Sequence, residues 1–245
     1  MDELLKSVVV RPYVFAFLAA FLFLAIRFMG MKRTLIWLVS GYTIAWISEF
    51  SSINNGFPYG EYHYLYENMS GELMIAGVPF FDSLSYPFLI FAGFTMASFL
   101  LDTTTRKARN DIVHIALGAL LTTLLDVIID PVTKLGSRWF LGEIYYYATP
   151  GWYFGIPMSN FAGWFLVSFA IAGFNVFLWK WANWKNPGKP DILYPLFYSS
   201  IALFMIAVTF YIGAWTLGVC SSGLLAVVVV PSFRRVLPGR PLHRR

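Results

Sequence analysis

The sequence predicts an all-α fold, a polytopic transmembrane helical bundle of about seven helices. Hydrophobic residues make up 58% of the 245-residue chain and charged residues only 13%, roughly half the charged share of a soluble domain. Apolar runs close to the ~20 residues that a spanning helix needs recur along the chain. Basic residues cluster between these runs, which argues against nucleic acid binding as the reason for the net charge of +5. We expect residues 1–245 to form a single integral membrane domain.

The apolar runs predict the helices in order. They cover residues 12–30, 33–50, 79–101, 111–130, 158–180, 191–210 and 212–231. No small-residue cleavage site follows the first run, so it is interpreted as a retained helix and not as a signal peptide. The last two runs are joined tightly around residues 211–213, and the sequence leaves open whether they form a hairpin or a re-entrant pair.

The distribution of Lys and Arg predicts the orientation in the cell membrane. Fourteen of the 18 basic residues fall on alternate connections or after the last helix. The positive-inside rule then predicts an outer N-terminus and a cytoplasmic C-terminus. The fourteen are Arg27, Lys32, Arg33, Arg106, Lys107, Arg109, Lys180, Lys185, Lys189, Arg234, Arg235, Arg240, Arg244 and Arg245.

Two long segments, about 51–78 and 131–157, lie on the predicted outer side and are rich in Gly, Pro and aromatic residues. Such loops are often lids or binding loops, but Tyr and Trp also form interfacial belts, and both interpretations stay open. Gly77-Val78-Pro79 and Gly155-Ile156-Pro157 each follow one of these segments and open a helix. This similarity indicates either parallel internal repeats around a site or ordinary Gly-x-Pro helix starts.

Four carboxylates are the strongest candidates for chemistry. Glu49, Asp82, Asp126 and Asp130 all lie near the outer ends of predicted helices, and ionisable residues at membrane depth usually mark function. Asp126 and Asp130 are four residues apart and therefore share a helix face. Each carboxylate also has a structural explanation, such as a helix end, a wet interface or a pair with Lys134. We expect the four to converge at one end of the bundle.

The sequence argues against several enzyme classes. Three His residues are too few for a membrane di-iron enzyme, and residues 212–231 contain no Lys for a retinal Schiff base. The chain has one Cys, no GxxxxGK[ST] and no GxGxxG after a strand. Clustered Asp residues faintly suggest a prenyltransferase, but its diphosphate substrates are usually cytoplasmic. We expect no metal, no cofactor and no nucleic-acid partner.

Acid–base chemistry on a lipid-dissolved substrate remains. A carboxylic acid in an apolar pocket can keep its proton at neutral pH, and such an acid can protonate an electron-rich alkene. Aromatic faces and a nearby carboxylate would stabilise the resulting tertiary cation, and water would capture it.

Two ordered stretches carry a resemblance to a known family. The first stretch consists of Glu49-Phe50, Gly56-Phe57-Pro58-Tyr59-Gly60-Glu61-Tyr62-His63-Tyr64 and Gly77-Val78-Pro79. The second stretch consists of Asp126-Val127-Ile128-Ile129-Asp130-Pro131, Tyr153-Phe154-Gly155-Ile156-Pro157 and Asn160-Phe161-Ala162-Gly163-Trp164. The chain resembles the carotenoid biosynthesis membrane proteins that include the carotenoid hydratases of bacteria and archaea. The resemblance implies addition of water across the terminal C=C of an acyclic carotenoid, such as a bacterioruberin precursor, giving a tertiary alcohol.

The residues and the resemblance together predict a site. Asp126 and Asp130 are expected to be the acid and its partner, and Glu49 and Asp82 to position water or stabilise the cation. Expected partners are membrane lipid, the carotenoid substrate and other carotenoid enzymes. A cyclase-type end-group enzyme and a non-catalytic lipid or pigment carrier stay open as rivals. The expected substrate-binding residues are Asn160, Tyr59, Tyr62, Tyr153 and Trp164.

Overall fold

The computed structural model describes residues 3–101, 111–185 and 187–234. These residues form eight α-helices with short β-segments between them, which confirms the all-α prediction. The helices are α1 (Glu3–Val10), α2 (Pro12–Met29), α3 (Met31–Asn55), α4 (Phe80–Leu100), α5 (Asp111–Lys134), α6 (Met158–Trp181), α7 (Leu193–Tyr211) and α8 (Trp215–Arg234). The strands are β1 (Tyr62–Tyr64), β2 (Met74–Ile75), β3 (Val78–Pro79) and β4 (Tyr145–Tyr147).

Helices α2–α8 occupy the seven predicted runs, but α3 ends later than predicted. It continues past residue 50 because Asn54 donates to the Phe50 carbonyl at 2.7 Å. Gly56, with φ 78°, then provides the left-handed C-cap, and its N–H bonds the Ser52 carbonyl. Glu49 therefore lies inside α3 and not at its end.

Helix α5 also runs beyond its predicted end at residue 130, and Pro131 lies inside it. Side chains supply donors to the carbonyls of its last turns, since Thr133 bonds Ile129 at 3.1 Å and Trp139 bonds Val132 at 3.1 Å. These bonds help the helix to continue past a proline that usually marks a boundary. Helix α1 was not predicted, because its eight residues carry charges of both signs and do not form a long apolar run.

The chain is a polytopic membrane protein. Among the described residues, five helices are long and apolar enough to span a membrane, namely α2, α4, α5, α6 and α7. Helix α3 is also long, at 25 residues, but it carries Lys32, Arg33 and Glu49. The apolar part of α8 is shorter and covers Trp215–Val230. Helices α7 and α8 are separate helices joined through Gly213, which has φ 73°.

Helix α4 lies at the centre and packs against α2, α3, α5, α6 and α7. Its closest neighbour is α5. The two backbones approach so closely at Gly93 that a Cβ at this position would lie 2.6 Å from the Gly118 carbonyl oxygen. Small residues allow such close backbone approach between membrane helices. Helix α3 is fixed to α4 by Trp37, whose indole N–H donates to the Pro87 carbonyl at 2.9 Å.

The two ends of the bundle differ in character. At one end Arg27 and Asp191 form an ion pair at 2.6 Å, and Lys180 pairs with Asp111. The two long segments lie together at the other end, because β1 and β4 pair with each other. Which end faces outward stays a prediction. Seven of the basic residues used to orient the chain lie outside the described residues, namely Arg106, Lys107, Arg109, Arg235, Arg240, Arg244 and Arg245.

Candidate active site

A two-stranded ribbon covers the end of the bundle opposite the Arg27–Asp191 and Lys180–Asp111 ion pairs. Strands β1 and β4 pair antiparallel, with Tyr62 opposite Tyr147 and Tyr64 opposite Tyr145. Side chains alternate between the two faces of a strand. These four tyrosines are therefore buried on the inner face, whereas the residue between each pair points outward and is more accessible. We call this ribbon the tyrosine roof.

The tyrosine roof supplies hydrogen-bond donors to the carboxylates of α3 and α4. Glu49 accepts from the hydroxyls of Tyr62, Tyr64 and Tyr86. Asp82 accepts from Tyr64 at 2.8 Å, and the same hydroxyl lies 3.2 Å from Glu49 Oε2. Tyr64 therefore bridges Glu49 and Asp82.

The other half of the roof reaches the carboxylates of α5. Asp130 accepts from the hydroxyls of Tyr145 and Tyr147, the second at 2.9 Å. Asn160 on α6 donates to Asp126 at 2.8 Å and to Asp130 at 3.0 Å. The side-chain amide of Asn160 thus holds both Asp126 and Asp130 in place.

Beneath the roof lies a chamber of about 110 Å³. The prediction that the four carboxylates lie together is confirmed, because all four line it. The predicted residues on its wall are Glu49, Asp82, Asp126, Asp130, Asn160, Tyr59, Tyr62 and Trp164.

One predicted residue lies elsewhere, and four tyrosines of the wall were missed. Tyr153 does not line the chamber and packs against Phe161 at 5.8 Å. The sequence contained a signal for the roof, because Tyr-x-Tyr in both long segments fits a strand with one buried face. The four missed residues are Tyr64, Tyr86, Tyr145 and Tyr147.

The roof tyrosines are hydrogen-bond donors over a wide pH range. Burial raises the pKa of Tyr62, Tyr64, Tyr145 and Tyr147 well above the ordinary value of 10.0, and the neighbouring carboxylates raise it further. At neutral pH each phenol therefore keeps the proton that it donates to a carboxylate.

No metal-binding group accompanies this chamber. Within residues 3–101, 111–185 and 187–234, no three His, Cys, Asp or Glu side chains come together in a way that could hold a metal ion. The carboxylates and phenols of the chamber can transfer protons and stabilise positive charge.

Comparison with known proteins identifies the family. The family described as carotenoid biosynthesis protein matches residues 9–230. The chain belongs to this family. No curated protein and no solved structure matched the chain. The matched region of this carotenoid biosynthesis protein contains the complete chamber and its roof.

The two Gly-x-Pro helix starts correspond in local geometry. Gly77 and Gly155 both have positive φ and precede helix starts. Nine residues after each glycine lie Tyr86 and Trp164, whose rings stack on each other at 4.2 Å and within 4° of parallel. The antiparallel pairing of β1 with β4 also brings corresponding segments together. Whether the two segments form an internal repeat stays a prediction.

A buried ion pair joins the two long segments of the carotenoid biosynthesis protein to α2. Arg11 is 1% exposed, forms an ion pair with Glu72 and donates to the Leu141 carbonyl at 2.8 Å. Its guanidinium also lies 4.6 Å from the centre of the Phe81 ring. Burial raises the pKa of Glu72, and Arg11 opposes that shift. Arg11 is not one of the fourteen basic residues that predict the orientation.

Proposed function

We propose that this protein is a cofactor-independent carotenoid hydratase, which adds water to the terminal C=C of an acyclic carotenoid end group. The family match supports carotenoid biosynthesis. The observation that carries the reaction is the chamber, in which four carboxylates and six tyrosines meet at one end of an apolar bundle.

The proposed reaction needs one acid and one base. A carboxylic acid transfers its proton to the CH carbon of the terminal alkene, and the neighbouring carbon becomes a tertiary cation. Water forms a C–O bond to that carbon and loses a proton to a carboxylate. The sum is alkene plus water giving a tertiary alcohol, with the enzyme's protons restored.

Hydrogen bonding separates the carboxylates into two kinds. Asp130 accepts three hydrogen bonds, and Glu49 accepts two from Tyr62 and Tyr86 and lies within reach of the Tyr64 hydroxyl; these bonds favour the charged form. Both carboxylates are suited to facing the cation and taking the proton from water. Asp126 accepts from Asn160, and Asp82 accepts from Tyr64. These two are the candidates for the acid, and the assignment of Asp126 to that role stays a prediction.

The stacked rings of Tyr86 and Trp164 supply an aromatic wall to the same chamber. An aromatic face attracts a cation through its quadrupole. This wall and the hydrogen-bonded carboxylates Glu49 and Asp130 would lower the energy of the tertiary cation before water captures it.

The membrane supplies the substrate in this proposal. A carotenoid dissolves in the bilayer, and the chamber lies at one end of the bundle, where water and lipid meet. We propose the cell membrane as the location, with the roof and the N-terminus outside and the C-terminus in the cytoplasm, following the basic connections. Other carotenoid enzymes would supply the acyclic substrate.

The test is pigment analysis in a bacterium engineered to accumulate lycopene, with a strain that makes a bacterioruberin-type precursor in parallel. We expect products heavier by one or two waters. The variant Glu49→Gln/Asp130→Asn should lower product at least a hundredfold, whereas Glu67→Gln, at an exposed position outside the chamber, should retain it.

The outcomes separate the rivals. A changed pigment of unchanged mass would indicate cyclisation and contradict hydration. Unchanged pigment in both strains, with the protein present in the membrane, would contradict an enzymatic role on these end groups.

A further inference from the structure

A second cavity adjoins the carboxylate chamber. It has a volume of about 100 Å³ and lies among α2, α4, α5 and α7, with Leu141 and Ile144 from the second long segment at its wall. Apart from Asp82 and a few hydroxyls, its lining is hydrocarbon and aromatic. We call it the apolar cavity. It shares Asp82, Ser85, Leu89, Ile129 and Thr133 with the chamber.

Three partly exposed aromatic residues of α2 and α7 line one side of the apolar cavity. Tyr13 stacks on Phe204 at 5.4 Å, and Phe17 meets Phe204 edge-on at 5.9 Å. All three are half-buried and belong to α2 and α7, both of which are candidate membrane spans. The cavity therefore connects the lipid-facing side of these helices with the chamber.

Asp82 lies where the two cavities meet. Glu49, Asp126 and Asp130 line the chamber and are at most 8% exposed. Of these four carboxylates, Asp82 is the one that also lines the apolar cavity, and it is the most accessible of the four. An apolar ligand entering between α2 and α7 would therefore reach Asp82 first.

We propose that the apolar cavity binds the end of an acyclic polyene chain and that Asp82 is the carboxylic acid that protonates its terminal double bond. This inference rests on the proposed hydration. It differs from the expectation drawn from sequence, in which Asp126 was the acid. Asp126 is separated from the apolar cavity and is held by Asn160, so its role is to position Asp130 and water.

Tyr64 returns a proton to Asp82 and completes the catalytic cycle. The O–H bond of Asp82 breaks as the C–H bond forms, and the cation is left facing the chamber. Water adds to it and gives its proton to Glu49. The Tyr64 hydroxyl, 3.2 Å from Glu49 and 2.8 Å from Asp82, accepts this proton and passes its own to Asp82. Since the Tyr64 pKa lies well above 10.0, the relay works through the neutral phenol.

The experiment compares Asp82→Asn with Asp126→Asn in the lycopene strain and in purified protein. Removal of a general acid typically costs 10²–10⁴-fold in rate. We expect Asp82→Asn to lose at least ~100-fold in hydration while still co-purifying with lycopene, and Asp82→Glu to recover part of the rate. Asp126→Asn should lose less than Asp82→Asn.

The cavity has its own test, in which bound lycopene per protein is measured by absorbance. Val14 lines the apolar cavity but not the chamber, so Val14→Phe should lower bound lycopene and product severalfold. Val39→Phe, at a 64% exposed position on α3, is the matched control and should change neither.

Each outcome decides between the claims. Full activity of Asp82→Asn, with loss in Asp126→Asn, would overturn the assignment of the acid and leave hydration intact. Unchanged lycopene binding in folded Val14→Phe would overturn the cavity assignment. A wild-type protein that yields no hydrated product would overturn both the proposed function and this inference.

Discussion

The ion pair of Arg11 and Glu72 gives a quantitative prediction about the tyrosine roof. The two side chains are 1% and 2% exposed, and removal of one partner from a buried pair typically costs ~3–5 kcal/mol, because the other charge stays buried without compensation. Arg11→Met also removes the donor to the Leu141 carbonyl. We therefore expect Arg11→Met to lower the free energy of unfolding by ~3–5 kcal/mol.

The matched control is the exposed pair of Arg27 and Asp191, whose side chains are 51% and 40% exposed. Exposed pairs contribute only ~0–1 kcal/mol because water and salt screen them. Arg27→Met should therefore stay within ~1 kcal/mol of wild type. Denaturant titration of the detergent-solubilised protein, followed by tryptophan fluorescence, measures both variants.

The double variant Arg11→Met/Glu72→Met tests the cause of the loss. Within the described structure, Arg11 Nε and Glu72 Oε2 are buried without a hydrogen-bond partner, so the pair is incompletely satisfied. Replacing both charges should therefore recover most of the stability lost in Arg11→Met. The reasoning is refuted if Arg11→Met is as stable as Arg27→Met, or if the double variant is the least stable of the set.

Three further predictions concern packing, the roof and the chamber. Gly93→Ala should destabilise the protein by ~1–3 kcal/mol, because the added Cβ would clash with the α5 backbone. Gly173→Ala on α6 is the control and should be neutral or mildly stabilising, because the space around Gly173 is open. The raised pKa of the four roof tyrosines means that above pH 10.0 the folded state keeps protons which the unfolded state loses. The contribution of these tyrosines to stability should therefore be constant near neutrality and fall above pH 10.0, and a pH series of denaturant titrations that compares wild type with Tyr→Phe variants checks this. Asn160→Leu should leave Asp126 without its donor and lower hydration at least tenfold with lycopene binding retained, as pigment analysis would measure.

Hydropathy and charge were sufficient to predict the bundle, because the cost of burying polar backbone and side chains in lipid constrains every spanning segment. The helix ends were harder to predict. Side-chain donors such as Asn54 and Thr133 extended α3 and α5 past the positions where apolar patterning ended. The convergence of the four carboxylates followed from their shared depth.

The roof was harder to predict from the sequence, because pairing between strands more than 80 residues apart is a tertiary contact. Its Tyr-x-Tyr pattern fitted equally a membrane-interface belt, and Tyr153 was selected from the same aromatic-rich segment although it lies outside the chamber. Arg11 was also missed as a buried group. Sequence patterns do not reveal that Glu72 and the Leu141 carbonyl would meet it.

The proposal that this chamber hydrates an alkene is tested by following the oxygen atom. Purified protein in liposomes loaded with lycopene would be incubated without added cofactor in water labelled with heavy oxygen, and the pigment analysed by mass spectrometry. The account predicts a tertiary alcohol that carries the label. An unlabelled alcohol, or no alcohol from folded protein with lycopene bound, would contradict it.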